Sequence, residues 1–154
     1  MIKLSTKGRY GTRLMLNLAR HYVVGKEAII LKSVSDDEEI SIRYLEQIII
    51  PLKISKLVKS IRGAGGGYIL ARPPAEIRIS DILHALEGTC CLVDCVEDED
   101  YCDRIDTCAT HDVWDKASSL LHDYFEKTTL KDLMAQEKKK KAKVKQKTKT
   151  KTKA

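Results

Sequence analysis

The 154-residue chain lacks the marks of several large protein classes. No run of eighteen apolar residues occurs, so no helical membrane span is expected. The opening residues Met1-Ile2-Lys3-Leu4-Ser5-Thr6-Lys7-Gly8-Arg9 carry no apolar core of an export signal, and a cytoplasmic location is expected. Cysteine is missing everywhere except between Cys90 and Cys108. Five thiols packed into one stretch of a cytosolic chain argue against a disulfide framework and for metal or redox chemistry. There is no Cys-x-x-Cys pair, and the vicinal Cys90 and Cys91 would form only a strained disulfide, which disfavours a thiol oxidoreductase. The four histidines, His21, His84, His111 and His122, show no sequence partner for a Ser or Cys nucleophile. An enzyme is not expected.

The formal net charge of +6 is unevenly distributed. Residues 1–80 hold 14 Lys/Arg against 7 Asp/Glu, residues 81–136 hold 4 against 14, and residues 137–154 hold 10 Lys against one Glu. Cationic side chains displace counterions condensed on phosphates, so the basic first part is a candidate nucleic-acid surface facing away from the acidic middle.

Hydrophobic periodicity divides the chain further. Tyr10, Leu14, Leu18 and Tyr22 recur at helical spacing over 9–24, with Gly25 as the stop. A short helix is expected over 29–36, and Asp36-Asp37-Glu38-Glu39 reads as a turn. Ser41 can cap a third helix reaching about 50, buried through Leu45, Ile48 and Ile49, with Pro51 at its end. Two β-type runs, 57–61 and 68–71, flank Arg62-Gly63-Ala64-Gly65-Gly66-Gly67 and form a hairpin. Ser80 opens a fourth helix that ends at Gly88. After the loop 89–108, Thr110 is expected to cap a long helix over 111–126. Its apolar stripe of Val113, Trp114, Ala117, Leu120, Leu121, Tyr124 and Phe125 exceeds what one small domain requires. Thr129 and Asp132 have the spacing of a capping box for a short last helix. The lysine-dense tail from 137 should be disordered, since low hydrophobicity and like charge cannot offset chain entropy.

Three helices followed by a hairpin is the order of a winged helix-turn-helix, in which the third helix reads the groove. The expected fold class is thus mostly α with a small β-hairpin. The expected units are a DNA-binding domain over 1–80, a loop and long helix over 81–136, and a tail over 137–154. Arg43, Glu46 and Gln47 share one face of the third helix and are types that reach base edges. The glycine run beside Arg62 suits a wing tip on DNA phosphates. It lacks the Gly-Lys-Ser/Thr ending of a nucleotide-binding loop and leads into a strand.

Cys95, Cys102 and Cys108, with His111 three residues beyond, form the sharpest constellation. Three thiolates and an imidazole can hold either one zinc ion or a two-iron cluster. Carboxylates at Asp94, Glu97, Asp98, Glu99, Asp100, Asp103 and Asp106 keep the loop solvated. Cys90 and Cys91 are possible substitute ligands.

Three blocks, Leu4-Ser5-Thr6-Lys7-Gly8-Arg9-Tyr10, Ile42-Arg43-Tyr44-Leu45-Glu46-Gln47 and Leu57-Val58-Lys59-Ser60-Ile61-Arg62-Gly63-Ala64-Gly65-Gly66-Gly67-Tyr68, resemble the Rrf-type family of bacterial winged-helix regulators. The resemblance covers about residues 1–135. The cysteine–histidine set, followed by Trp114, resembles the IscR-like iron–sulfur subgroup of that family. The resemblance implies a transcription regulator that binds double-stranded promoter DNA as a homodimer through helix 111–126. It implies a 2Fe-2S cluster on Cys95, Cys102, Cys108 and His111, sensing cluster status and controlling cluster biogenesis genes. It further implies DNA contacts from Arg9, Arg43, Tyr44, Glu46, Gln47, Lys59, Arg62, Gly63, Gly65 and Gly66, with Glu46 discriminating between promoters and Arg62 in the minor groove. The alternative within the same family is a zinc-stabilised or cluster-free repressor, for instance of cysteine metabolism.

Overall fold

The computed structural model describes residues 3–25, 27–89 and 91–151. Helix α1 (Thr6–Gly25) starts three residues before the expected 9–24. Ser5 is the reason: its hydroxyl accepts from the amides of Lys7 at 3.0 Å and Gly8 at 3.2 Å, and it also meets Glu87. Helix α2 (Leu31–Glu38) takes in most of the acidic run expected to be a turn. Glu38 is buried there because Arg13 and Arg20 both reach its carboxylate, at 3.1 and 2.9 Å. The turn is confined to Glu39 and Ile40, with Glu39 in the left-handed conformation.

Helix α3 (Ile42–Ile54) is capped by Ser41, as its sequence implies, through the Tyr44 amide at 3.3 Å. It runs through Pro51 instead of ending there. Proline removes only one backbone donor near a helix end, and Leu52, fully buried one residue later, holds the last turn down. Strands β1 (Val58–Ile61) and β2 (Gly67–Leu70) form an antiparallel hairpin with Val58 opposite Leu70 and Ile61 opposite Gly67. Ile29 adds a bridge to Tyr68, with backbone hydrogen bonds of 2.8 and 2.9 Å. The hairpin is thereby tied to the α1–α2 connection.

Helix α4 (Ile79–Glu87) begins one residue before Ser80, and the Asp81 carboxylate accepts from the Arg78 amide at 3.0 Å. A one-turn helix α5 (Asp94–Glu97) and two 3-10 turns occupy the cysteine loop. Helix α6 (Ala109–Lys127) starts at Ala109, so Thr110 lies inside its first turn and is not the cap. The Thr110 hydroxyl is spent on the Cys108 sulfur at 3.2 Å. The Thr129–Asp132 capping box forms, with reciprocal hydrogen bonds of 2.9 and 3.2 Å.

Two expected boundaries change. The core does not stop at residue 80: Ile82, Leu83, Leu86 and Leu130 are buried in the same cluster as Leu14, Leu18, Leu45 and Ile48. Helix α7 (Leu130–Lys151) continues into the segment expected to be disordered. Lys, Ala and Gln are good helix formers, and Glu137 pairs with Lys141 one turn on at 3.0 Å. Among the described residues no helix is long and apolar enough to cross a membrane.

The hairpin glycines have separate roles. A Cβ at Gly67 would lie 2.6 Å from the Ile29 backbone, and one at Gly66 would lie 2.7 Å from the Ile61 carbonyl. One at Gly65 meets nothing within 4 Å. Gly67→Ala should therefore cost about 1–3 kcal/mol in urea unfolding, since backbone cannot yield as a side chain does. Gly65→Ala should stay within about 0.5 kcal/mol.

Two carboxylates supply a pH prediction. The Ser80 hydroxyl, and after it Arg78, hold Glu126 below its ordinary range. Partial burial pushes Glu137 upward, but hydrogen bonds from Arg20 and Lys141 outweigh it and leave it lowered. A lowered folded-state value stabilises above the unfolded value and is lost as pH falls through the folded one. Melting temperature should thus drop as pH falls below the ordinary glutamate range, and Glu137→Gln should show a shallower drop.

Candidate nucleic-acid interface and cysteine loop

The outward face of α3 is built by subtraction. Leu45, Ile48, Ile49 and Leu52 turn inward, which leaves Arg43, Glu46, Gln47 and Ile50 exposed along the opposite side. Arg43, Glu46 and Gln47 are presented together, as their i, i+3, i+4 spacing requires. Tyr44 sits differently: it is half-buried, edge-on to Tyr10 with ring centroids 5.8 Å apart. Arg9 and Arg13 flank the same Tyr10 ring, at 5.9 and 5.6 Å from its centroid. Tyr44 thus locks the start of α3 onto α1, and Arg9 stands exposed beside that contact.

The wing carries Lys59 and Arg62 in exposed positions. Gly63, with φ of +105°, and Gly65 face open space, while Gly66 serves the turn's own backbone. Its amide donates to the Gly63 carbonyl at 2.9 Å, closing the tip. Lys53, in the last turn of α3, lies 6.0 Å from the centre of the Tyr68 ring on β2. This cation–π contact links the outward helix to the wing.

Three residues at this surface are absent from the sequence reading. Lys53 supplies the link to the wing, and Ile50 and Ile54 are 57% and 76% exposed on the outer side of α3. Extending the helix past Pro51 is what brings Lys53 and Ile54 onto it beside Ile50. The signal was the i+4 and i+7 spacing of Ile54 and Ile50 from Ile50 and Arg43.

The cysteine loop joins α4 to α6. His111 is in the first turn of α6, its Nε2 3.0 Å from the Cys95 carbonyl oxygen, so two of the candidate ligand residues meet across the loop. Cys102 is exposed, and Cys95 and Cys108 are half-buried. Among the described residues, no three His, Cys, Asp or Glu side chains stand together as a metal-holding group. Cys90 lies outside the described residues, and Cys91 is half-buried under α6.

The loop's electrostatics follow from its carboxylates and capping hydroxyls. Asp94, first by its charge and then by a hydrogen bond, raises the Tyr101 phenol, and the Cys95 and Cys102 thiols add to this. Burial raises Cys91, with Glu97 and Asp115 adding to it. Cys108 moves the other way, because the Thr110 hydroxyl and the His111 amide hydrogen-bond its sulfur. The loop is anchored to α6 where the Leu92 amide donates to the buried Ser118 hydroxyl at 3.1 Å.

Residues 4–136 match the Rrf2 family, described as "Iron-dependent Transcriptional regulator". The chain is 39% identical over 132 residues to the transcriptional regulator CymR of Bacillus subtilis, spanning 86% of this chain and 89% of that one. The solved structure of CymR, the global cysteine regulator of B. subtilis, superposes with a TM-score of 0.73 over 88% of this chain and 98% of that chain. The structure of T. potens IscR superposes with a TM-score of 0.72 at 38% identity, over 88% of each chain. These relatives are transcription regulators and not enzymes, as the missing catalytic pairs led one to expect. A match across the winged helix, the loop and α6 shows that the chain belongs to the Rrf2 family of DNA-binding transcriptional regulators.

Proposed function

We propose that this regulator is a homodimer that binds double-stranded promoter DNA through the outer face of α3 and the wing tip. Its promoter choice would respond to a 2Fe-2S cluster held by Cys95, Cys102, Cys108 and His111. The seat of His111 carries the sensing reading: a rigid first turn of α6 brings an imidazole to the Cys95 backbone across the loop. The donor set fits the group in its chemistry, since thiolates with an imidazole suit iron–sulfur or zinc binding. A bound cluster would supply one-electron redox chemistry and an occupancy that varies with iron and oxygen.

The chain's own residues do the rest. To hold the group, the loop would have to draw Cys102 toward Cys95 and Cys108, and the bound metal would offset the repulsion among the thiolates and the surrounding carboxylates. Its anchor on Ser118 and its exit into α6 make that helix the element through which loop closure is felt. Val113, Leu120 and Tyr124 are about 60% exposed on α6, with Trp114 and Leu121 beside them. A contiguous apolar stripe of this kind supports assembly with a second copy through this helix.

A second reading has its own support. The similarity to CymR, the global cysteine regulator of B. subtilis, along 88% of the chain supports a regulator of cysteine metabolism, whose loop would hold zinc or no metal.

Anaerobic purification with iron, acid-labile sulfide and zinc analysis separates the two. About two irons and two sulfides per chain, lost in Cys102→Ala, are expected. Zinc alone, with no visible chromophore and no cluster taken up on reconstitution, would leave DNA binding and remove the sensor.

For base readout, Glu46→Ala should broaden promoter choice, because the carboxylate penalises bases that offer it no donor. Competition binding on operator variants should show discrimination falling by about 1–3 kcal/mol at one position. Unchanged ratios would place Glu46 outside the readout.

A further inference from the structure

The dimer, the wing and the loop leave one strongly charged element unexplained, the lysine-rich half of α7. Residues 138–154 contain ten lysines and no acidic residue. Lys138, Lys139, Lys140 and Lys143 are exposed and have no ion-pair partner among the described residues, whereas Lys141 pairs with Glu137. A solvated charge run needs no fixed origin, but this one has a built origin. Glu137 takes a two-pronged contact from Arg20, at 2.8 and 3.0 Å, and the same guanidinium holds Glu38 at 2.9 Å. Glu38 is the last residue of α2, three positions before the Ser41 cap of the reading helix. The lysine segment therefore starts one side chain away from the helix-turn-helix corner.

We infer that the lysine-rich extension of α7 is a second DNA-binding element, an arm that engages backbone phosphates flanking the site read by α3. The inference rests on the DNA-binding reading above but uses a different surface. As a helix, the 14 residues after Glu137, through Lys151, extend about 21 Å beyond the anchor, a length sufficient to reach phosphates outside the recognition surface. Lysines one turn apart, such as 139 and 143, repel each other in the free chain. Phosphates relieve that repulsion, and release of their condensed counterions drives the association. Lysines alternating with Thr and Gln present no pattern for base edges, so the arm adds affinity without sequence preference.

The test uses a fluorescent mixed-sequence 40-base-pair duplex titrated from about 50 to 200 mM salt, with the full chain, a chain ending at Glu137, and Lys138/139/140/143→Gln. The fourfold variant keeps Arg20, Glu137 and Lys141, so it guards against a folding defect in the truncation. If about four phosphates are engaged, the full chain should lose about 10²-fold more affinity over this range than either variant. Equal salt slopes for all three would overturn the arm while leaving α3 and the wing in place. Complete loss of duplex binding on truncation would support the arm and overturn the reading of α3 and the wing. Arm-dependent binding to phosphatidylserine vesicles, with unchanged duplex binding, would overturn the arm's assignment to DNA.

Discussion

Two backbone hydrogen bonds, from the Ile79 amide to Thr128 and from the Leu130 amide to Ile77, fasten the α6–α7 elbow to the head of α4. Much else in the structure depends on that short bridge. It places Leu130 in the core between elements that sequence order would keep apart. It also sets Glu126 beside Ser80 and Arg78, so that the end of the long helix is held by backbone and side chains together. Packing has few alternative arrangements, and a shift of α6 therefore reaches α4 and the core shared with α3. The elbow thus gives the end of α6 a fixed seat on α4, whose Ile82 and Leu86 share one core with Leu45 and Ile48 of α3.

Charge is arranged in layers along the same path. The outward face of α3 and the wing carry Arg43, Lys59 and Arg62, while the loop concentrates carboxylates around its thiols. An ionic junction lies between α1 and α2, where buried Glu38 and Asn17 meet the half-buried Arg20 and the exposed Arg13. The Glu38 carboxylate accepts from Arg13, Arg20 and Asn17, which is the condition under which a buried charge is tolerated. Asn17 also leaves its side-chain oxygen buried without a partner, a cost borne inside the same junction.

Periodicity and capping made most of the fold readable in advance. The stripe of Leu14 and Leu18, the Ser41 cap, the Thr129–Asp132 box and the glycine-bearing hairpin all follow from local rules. What escaped was decided by distant partners. The acidic run 36–39 reads as a turn until Arg13 and Arg20 arrive from α1, and Pro51 reads as a stop until Leu52 is buried behind it. The glycine run looked like one feature, yet Gly66 and Gly67 are required by their own backbone neighbours and only Gly63 and Gly65 stand open. On α3, the shared outward face of Arg43, Glu46 and Gln47 was legible from spacing, and Tyr44 turns to Tyr10 because an aromatic ring is better packed than solvated. The cysteine set could be picked out as a candidate from residue type and spacing. Its spatial arrangement was not, since a loop's path has no sequence period.

The exposed stripe on α6 bears on more than geometry. Whatever covers Val113, Leu120 and Tyr124 binds the folded chain and not the unfolded one, and so contributes to folding through mass action. When the cover is another copy of the chain, stability becomes a function of abundance. The number of molecules in a cell then sets how firmly each one is folded, and dilution alone weakens both the fold and its grip on DNA.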